Sequence, residues 1–142
     1  MKKAQNKTVS VTCAVIEYEE GTLVVQRSKN MKLPLKWEFP GGKLEAHESE
    51  KECIQREIQE ELNIKITLND RLTSSLYHYP EFSIELIPFI AKHESGELKL
   101  TEHLSYKVLK KHELLDLDWA EADIPIVKEY IALWMKEFMK NW

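Results

Sequence analysis

Residues 37–64 read WEFPGGKLEAHESEKECIQREIQEELNI and limit what this chain can become. The spacing predicts a helix over residues 49–62, entered through a turn with two glycines. Ser49 suits the N-cap, and Glu52 three residues on completes a capping box. Ile54, Ile58 and Leu62 recur every four residues, a stripe that needs a partner surface to bury it. Asn63 follows, a residue that tolerates the left-handed conformation common just past a helix end. Gly41-Gly42 allows a close backbone approach that a side chain would block.

The same helix carries three crowded carboxylates. Glu57, Glu60 and Glu61 stand at i, i+3 and i+4, on one side of the helix and away from the apolar stripe. Each like-charged i,i+4 pair costs about 0.2–0.5 kcal/mol on an exposed helix. A hard divalent cation reverses that sign. Mg²⁺ takes one or two carboxylates together with phosphate oxygens and waters. The competing reading is a solvated face, since glutamate is a good helix former. Arg56 suits bidentate contact with a carboxylate such as Glu48, or is an ordinary surface arginine.

The flanks supply the burying surface. Residues 8–18 are rich in Val, Ile, Thr and Cys and read as a central strand. Residues 22–27 follow a turn as its hairpin partner. Residues 28–35 form a basic loop, and 37–39 a short strand stopped by Pro40. Beyond the helix, 64–68 is a short strand and Asn69-Asp70 a turn. Residues 72–79 and 82–91 form a second hairpin around Pro80-Glu81. A loop with Gly96 spans 92–97, a short edge 98–100, and a last strand 106–109. Residues 114–119 are a turn region. The final helix covers 126–140, started by Pro125, with Val127, Ile131, Trp134 and Phe138 as its inner stripe. Strands, helix, strands, helix is the order of an α+β fold, a mixed sheet with a helix on each face. One domain spanning the 142 residues is the expectation.

Bulk properties remove several function classes. A net charge of −4 argues against a nucleic-acid polymer as partner. There is no run of 18 apolar residues, so no membrane span is expected. The beginning of the chain lacks an apolar segment of signal-peptide type, which makes cytoplasm the expected compartment. Cys13 and Cys53 are the only cysteines, with no CxxC. Leu133, Met135, Met139 and Trp142 add apolar surface beyond the inner stripe of the last helix. That excess fits a dimer interface or a second packing surface, so monomer and homodimer both stay open.

Gly42, Glu48, Arg56, Glu57, Ile58, Glu60, Glu61 and Ile64 together carry the spacing of one long pattern. The stretch resembles the Nudix box, with Asn63 in place of the final glycine. Asn is the next most tolerant residue there. Residues 37–43 resemble the entry turn of the MutT-type branch, and residues 117–125 its base-recognition loop.

The resemblance implies a Nudix-type α/β/α sandwich. It also implies an Mg²⁺-dependent hydrolase, Mn²⁺ being a substitute, that splits a nucleoside triphosphate into monophosphate and pyrophosphate. By it, Glu57, Glu60, Glu61 and the Gly42 carbonyl are metal ligands, and Glu48 with Arg56 is the supporting pair. Glu102 is a further ligand or base, Arg27 meets phosphate, and Glu38 occupies an outlying acidic position on the substrate side. Asp123 reads the base edge, or else simply caps the last helix. Phe39 and Tyr79 stack on the base and Phe82 makes an apolar wall, unless these are ordinary cross-strand aromatics. The implied substrate is an oxidised purine such as 8-oxo-dGTP, a nucleotide-pool and DNA-repair role. CTP or a modified dCTP is the alternative, and a nucleotide-binding module without hydrolysis the non-enzymatic one.

Overall fold

The computed structural model describes residues 7–141. Its spine is β1 (Thr8–Tyr18), which runs parallel to β7 (Ser83–Ser95), with Thr8 opposite Ser83 and Glu17 opposite Lys92. On its other side β1 pairs antiparallel with β2 (Gly21–Gln26) and with the short β4 (Gly41–Lys43). β2 in turn pairs with β3 (Trp37–Glu38) and β8 (Ser105–Leu109). β7 also pairs with β5 (Lys65–Arg71) and β6 (Ser75–His78). The main path reads β3-β2-β1-β7-β5.

Alternation along the strands divides the apolar residues between two cores. Ala14, Ile16, Leu23, Val25, Ile87 and Phe89 face one side. α1 (Glu50–Leu62) covers that side with Ile54, Ile58 and Leu62, all fully buried. Cys13, Val15, Val24 and Leu86 face the other side. There α2 (Ile124–Lys140) packs Ile126, Val127 and Tyr130. The result is the expected α+β arrangement, a mixed sheet with a helix on each face.

α1 begins and ends as its sequence demands. The Ser49 hydroxyl accepts from the Glu52 N–H at 3.1 Å, and the Glu52 carboxylate accepts from the Ser49 N–H at 2.8 Å. Asn63 is left-handed at φ 59°, so it does the work of the missing glycine. Its side-chain amide also donates to Glu97 O at 3.0 Å.

Four expectations need correction. Asn69-Asp70 is not a turn but part of β5, and the ladder absorbs it in an irregularity between Leu68 and Arg71. β7 continues to Ser95 through the expected loop, because β5 pairs with it out to Ser95 after β1 has left it at Lys92. Residues 98–100 form no strand; Lys99 N–H instead donates to Leu62 O at 3.0 Å, one of the carbonyls left open at the end of α1. The inner stripe of α2 is Ile126, Val127 and Tyr130. Ile131 and Trp134 are only partly buried and Phe138 is 55% exposed, since the second half of the helix leaves the core. Trp142 lies outside the described residues.

Candidate active site

Arg56 organises the outer half of the site. Its Nε and Nη2 grip Glu48 at 3.0 and 2.7 Å in a two-pronged contact. Its Nη1 donates to Glu57 at 2.9 Å and to Glu60 at 3.0 Å. Arg56 hydrogen bonds, with help from the Glu45 N–H, pull the Glu48 carboxyl down to about 2. Glu57 moves the other way: burial raises it, and its bond to Arg56 only partly offsets that. Glu60 remains 58% exposed and outside the cleft. The arginine and the two carboxylates Glu48 and Glu57 thus form a fixed knot at the base of the turn.

A cleft of about 410 Å³ opens beside the knot. Glu38, Glu61, Glu102 and Asp123 line it, with Arg27, Phe39, Tyr79 and Phe82. Burial, and after it the charges of Glu57, Glu102, Glu38 and Glu60, push the Glu61 carboxyl up to about 9. Glu61 Oε2 is buried with no hydrogen-bond partner. Arg27 Nη1 donates to Glu38 at 2.9 Å, and His103 Nε2 meets the other oxygen of Glu38 at 2.8 Å.

The far wall is aromatic with one buried acid. Tyr79 and Phe82 stack at 5.0 Å, and Lys32 Nζ lies 4.7 Å from the centre of the Phe82 ring. The Tyr79 hydroxyl accepts from Ala122 N–H at 3.1 Å. Asp123 is 4% exposed and accepts from Phe39 N–H at 2.9 Å. Its side chain makes no capping bond to α2, so the helix-cap reading fails. Burial holds its carboxyl well above the usual range, and the nearby Glu38 charge adds to that.

The glycine turn brings the two halves together. A Cβ on Gly42 would stand 2.2 Å from the Glu57 carboxyl carbon, so only glycine lets Glu57 lie against β4. Ala14 N–H bonds Pro40 O and Leu44 N–H bonds Ser10 O. Pairs alternate in an antiparallel ladder, which makes Thr12–Gly42 a bonded pair and Cys13–Gly41 a non-bonded one. The Gly42 carbonyl is therefore directed at Thr12, whose hydroxyl also reaches it at 3.2 Å. The carbonyl the ladder leaves over is that of Gly41, one residue before the one expected.

The residues present suit a hard divalent cation. The donors are carboxylate and carbonyl oxygens, the class Mg²⁺ and Mn²⁺ select. The unpartnered Glu61 oxygen and the raised carboxyls of Glu57 and Glu61 mark a place where negative charge lacks compensation. Among the described residues no three His, Cys, Asp or Glu side chains stand together as a finished ligand set.

Of the residues singled out from sequence, Glu38, Glu61, Glu102, Arg27, Phe39, Tyr79, Phe82 and Asp123 share the cleft, with Gly42 at its edge. Glu48, Arg56, Glu57 and Glu60 form the adjoining ionic cluster. Sequence reasoning missed His103, Cys13 and Lys32 as cleft residues. Nothing local marks the last two. For His103 the signal was its place directly after Glu102.

A family model described as the NUDIX domain matches residues 6–140. The CTP pyrophosphohydrolase of Escherichia coli K12 is 34% identical over 130 residues, covering 89% of this chain and 94% of that one. The 8-oxo-dGTP diphosphatase of Proteus vulgaris is 31% identical over 97 residues, covering 68% and 84%. A solution structure of the MutT protein of methicillin-resistant Staphylococcus aureus 252, titled a Nudix hydrolase, superposes with a TM-score of 0.73 at 37% identity. It covers 90% of this chain and 98% of that one. The MutT protein of Methanosarcina mazei Go1 shares the fold with a TM-score of 0.81, covering 90% and 96%, at 24% identity. With the box present around Arg56, Asn63 standing for its final glycine, and the match extending over almost the whole chain, this protein belongs to the Nudix hydrolase family.

Proposed function

We propose that this chain is an Mg²⁺-dependent nucleoside triphosphate pyrophosphohydrolase, acting as one domain and releasing a nucleoside monophosphate and pyrophosphate. The observation that carries the reading is the cleft itself. Glu61, with one buried and unpartnered oxygen, shares it with Glu38 and Glu102, opposite an aromatic wall that ends in Asp123. A nucleotide needs both ends, a charged one for phosphate and an apolar one with a few polar groups for the base.

Glu57, Glu60, Glu61 and the Gly41 carbonyl would hold the cation, with Glu102 as a further ligand or the base. When bound, the ion neutralises phosphate oxygens and makes water a stronger nucleophile. The protein's own part is positional. Arg56 and Glu48 fix the turn that presents the glycines. Glu61 or Glu102 takes the proton of the attacking water. Arg27, set by Glu38, faces the phosphates. Tyr79 and Phe39 bound the base, and Asp123 accepts hydrogen bonds from its edge. An oxidised purine such as 8-oxo-dGTP supplies such donors at N1–H and N2–H.

Cytosine is the second reading, and one observation favours it. One Asp123 oxygen is already occupied by the Phe39 N–H, leaving the other to meet a single exocyclic amino group. The length of the match to a CTP pyrophosphohydrolase supports it too. The test is a panel of 8-oxo-dGTP, dGTP, CTP and 5-methyl-dCTP with Mg²⁺, followed by product analysis. Ranking by kcat/KM decides between the bases. Pyrophosphate and the monophosphate are the expected products. Orthophosphate with a nucleoside diphosphate, or no turnover of any member, overturns the reading.

A further inference from the structure

Residues 96–104 connect β7 to β8 and carry Glu102. This segment is tied down on two sides. On one side it closes the end of α1: Thr101 N–H and the Thr101 hydroxyl both reach Glu61 O, each at 3.2 Å, and Lys99 N–H reaches Leu62 O at 3.0 Å. Helix ends always leave such carbonyls open, so these bonds have a sufficient structural explanation.

The second tie has none of that kind. The His103 side chain is 3% exposed and holds Glu38 through Nε2 at 2.8 Å. Its Nδ1 is buried with no partner. A buried ring kept only for packing would have both nitrogens satisfied, or would be apolar. A carboxylate only accepts, so the Glu38 contact places a hydrogen on Nε2. Glu38 is itself oriented by Arg27 at 2.9 Å. The Arg27–Glu38–His103 chain therefore runs from the residue after β2 through β3 to the residue beside Glu102. Leu104 N–H is separately bonded to Gln26 O at 2.9 Å, so the start of β8 does not depend on His103.

We infer that His103 is a positioning residue: its bond to Glu38 sets Glu102 in the cleft beside Glu61 and links the substrate wall to the reacting end. This rests on the assignment of Glu102 as base or ligand made above. The chain also explains why a buried nitrogen is tolerated unpaired, because the ring angle is dictated by Glu38 and not by its own packing.

Three variants test it: His103→Phe, which keeps the ring bulk, His103→Gln, which keeps an amide donor, and Glu102→Gln. Amide hydrogen exchange over residues 101–104 is measured in the full chain without nucleotide, so that it stands apart from turnover. Steady-state kinetics are measured on the best triphosphate of the panel. His103→Phe is expected to speed exchange at residues 102 and 103 and to lower kcat by about 100-fold. KM should change far less, and His103→Gln should recover most of both. Unchanged kcat in His103→Phe overturns the inference, as does a lost kcat with unaltered exchange. A Gln variant as poor as the Phe variant also overturns it. Wild-type activity in Glu102→Gln removes the Glu102 role and this inference with it, while the hydrolase reading stands on Glu61. If no triphosphate turns over, unaltered exchange in His103→Phe still refutes the tie.

Discussion

The two acidic groups of this molecule lie side by side and are held in opposite ways. Around Arg56, one guanidinium grips Glu48 with two prongs, the closer at 2.7 Å, and what remains of it is divided between Glu57 at 2.9 Å and Glu60 at 3.0 Å. In the cleft, Glu38 is the one of Glu38, Glu61, Glu102 and Asp123 with an ion pair among the described residues, to Arg27 at 2.9 Å, and Glu61 keeps an oxygen with no partner. The pKa directions agree: Glu48 is drawn down to about 2, while Glu61 is pushed up to about 9. The Glu48–Arg56 pair is finished as it stands, and Glu57, raised by burial, belongs with the cleft side of the divide. The cleft is completed only by something positive that the chain does not supply, and that difference separates scaffold from reactive site.

The comparison breaks most directly at Glu61. Glu61→Gln should lower kcat by about 10²–10⁴-fold, the span of a lost acid–base or metal-side carboxylate, with an unchanged circular dichroism spectrum. Near wild-type turnover would place Glu61 with the scaffold. Gly42→Ala comes next. Its methyl falls on the Glu57 carboxyl, the movable end of a side chain, so the fold should persist while Glu57 is displaced. A kcat loss of about tenfold or more is expected, since small misplacements of reacting groups are costly. Glu60→Gln should do less than the same change at Glu57 or Glu61, because Glu60 is 58% exposed and spends its charge on Arg56.

Stability separates the halves on a smaller scale. Arg56→Met removes the knot's only cation and should cost about 1–2 kcal/mol in denaturant unfolding; the partial exposure of the guanidinium keeps this below the cost of a deeply buried pair. The pH dependence should be opposite in the two groups. Glu61 holds a proton in the folded chain up to about 9, whereas in the unfolded chain it releases it near 4.5, the ordinary glutamate value. Between those values the folded state binds more protons, so raising pH destabilises the metal-free protein through Glu61. Glu48, lowered to about 2, adds stability above 4.5 that is lost as pH falls through its folded value. Thermal melts of metal-free wild type and Glu61→Gln from pH 5 to 9 check the first sign. The variant should lose less stability as pH rises.

Most of the site was readable because it is local. The capping box, the Ile54-Ile58-Leu62 stripe and the left-handed Asn63 all follow from spacing along one helix, and each is present. Elements decided by distant pairing were not readable. Asn69-Asp70 prefers a turn by itself, yet Leu68 and Arg71 on either side pair with β7 and β5 takes the two residues up as an irregularity. Residues 92–95 look like loop until β5 is placed beside them. The stripe of α2 failed because its second half lies beyond the sheet, so periodicity continues where burial has stopped. Asp123 offered two readings from sequence, and only the position of the Phe39 N–H, 84 residues away, turned it into the cleft. The choice of Gly41 over Gly42 depends on ladder parity, which spacing within the box does not encode.

Calorimetric titration of Mg²⁺ into the protein with a non-hydrolysable nucleoside triphosphate analogue is the most direct test of the uncompensated cleft. Wild type should bind the ion, and Glu61→Gln should bind it at least about tenfold more weakly, a loss of about 1.4 kcal/mol, while still melting as a folded protein. Equal affinity in both would contradict the account.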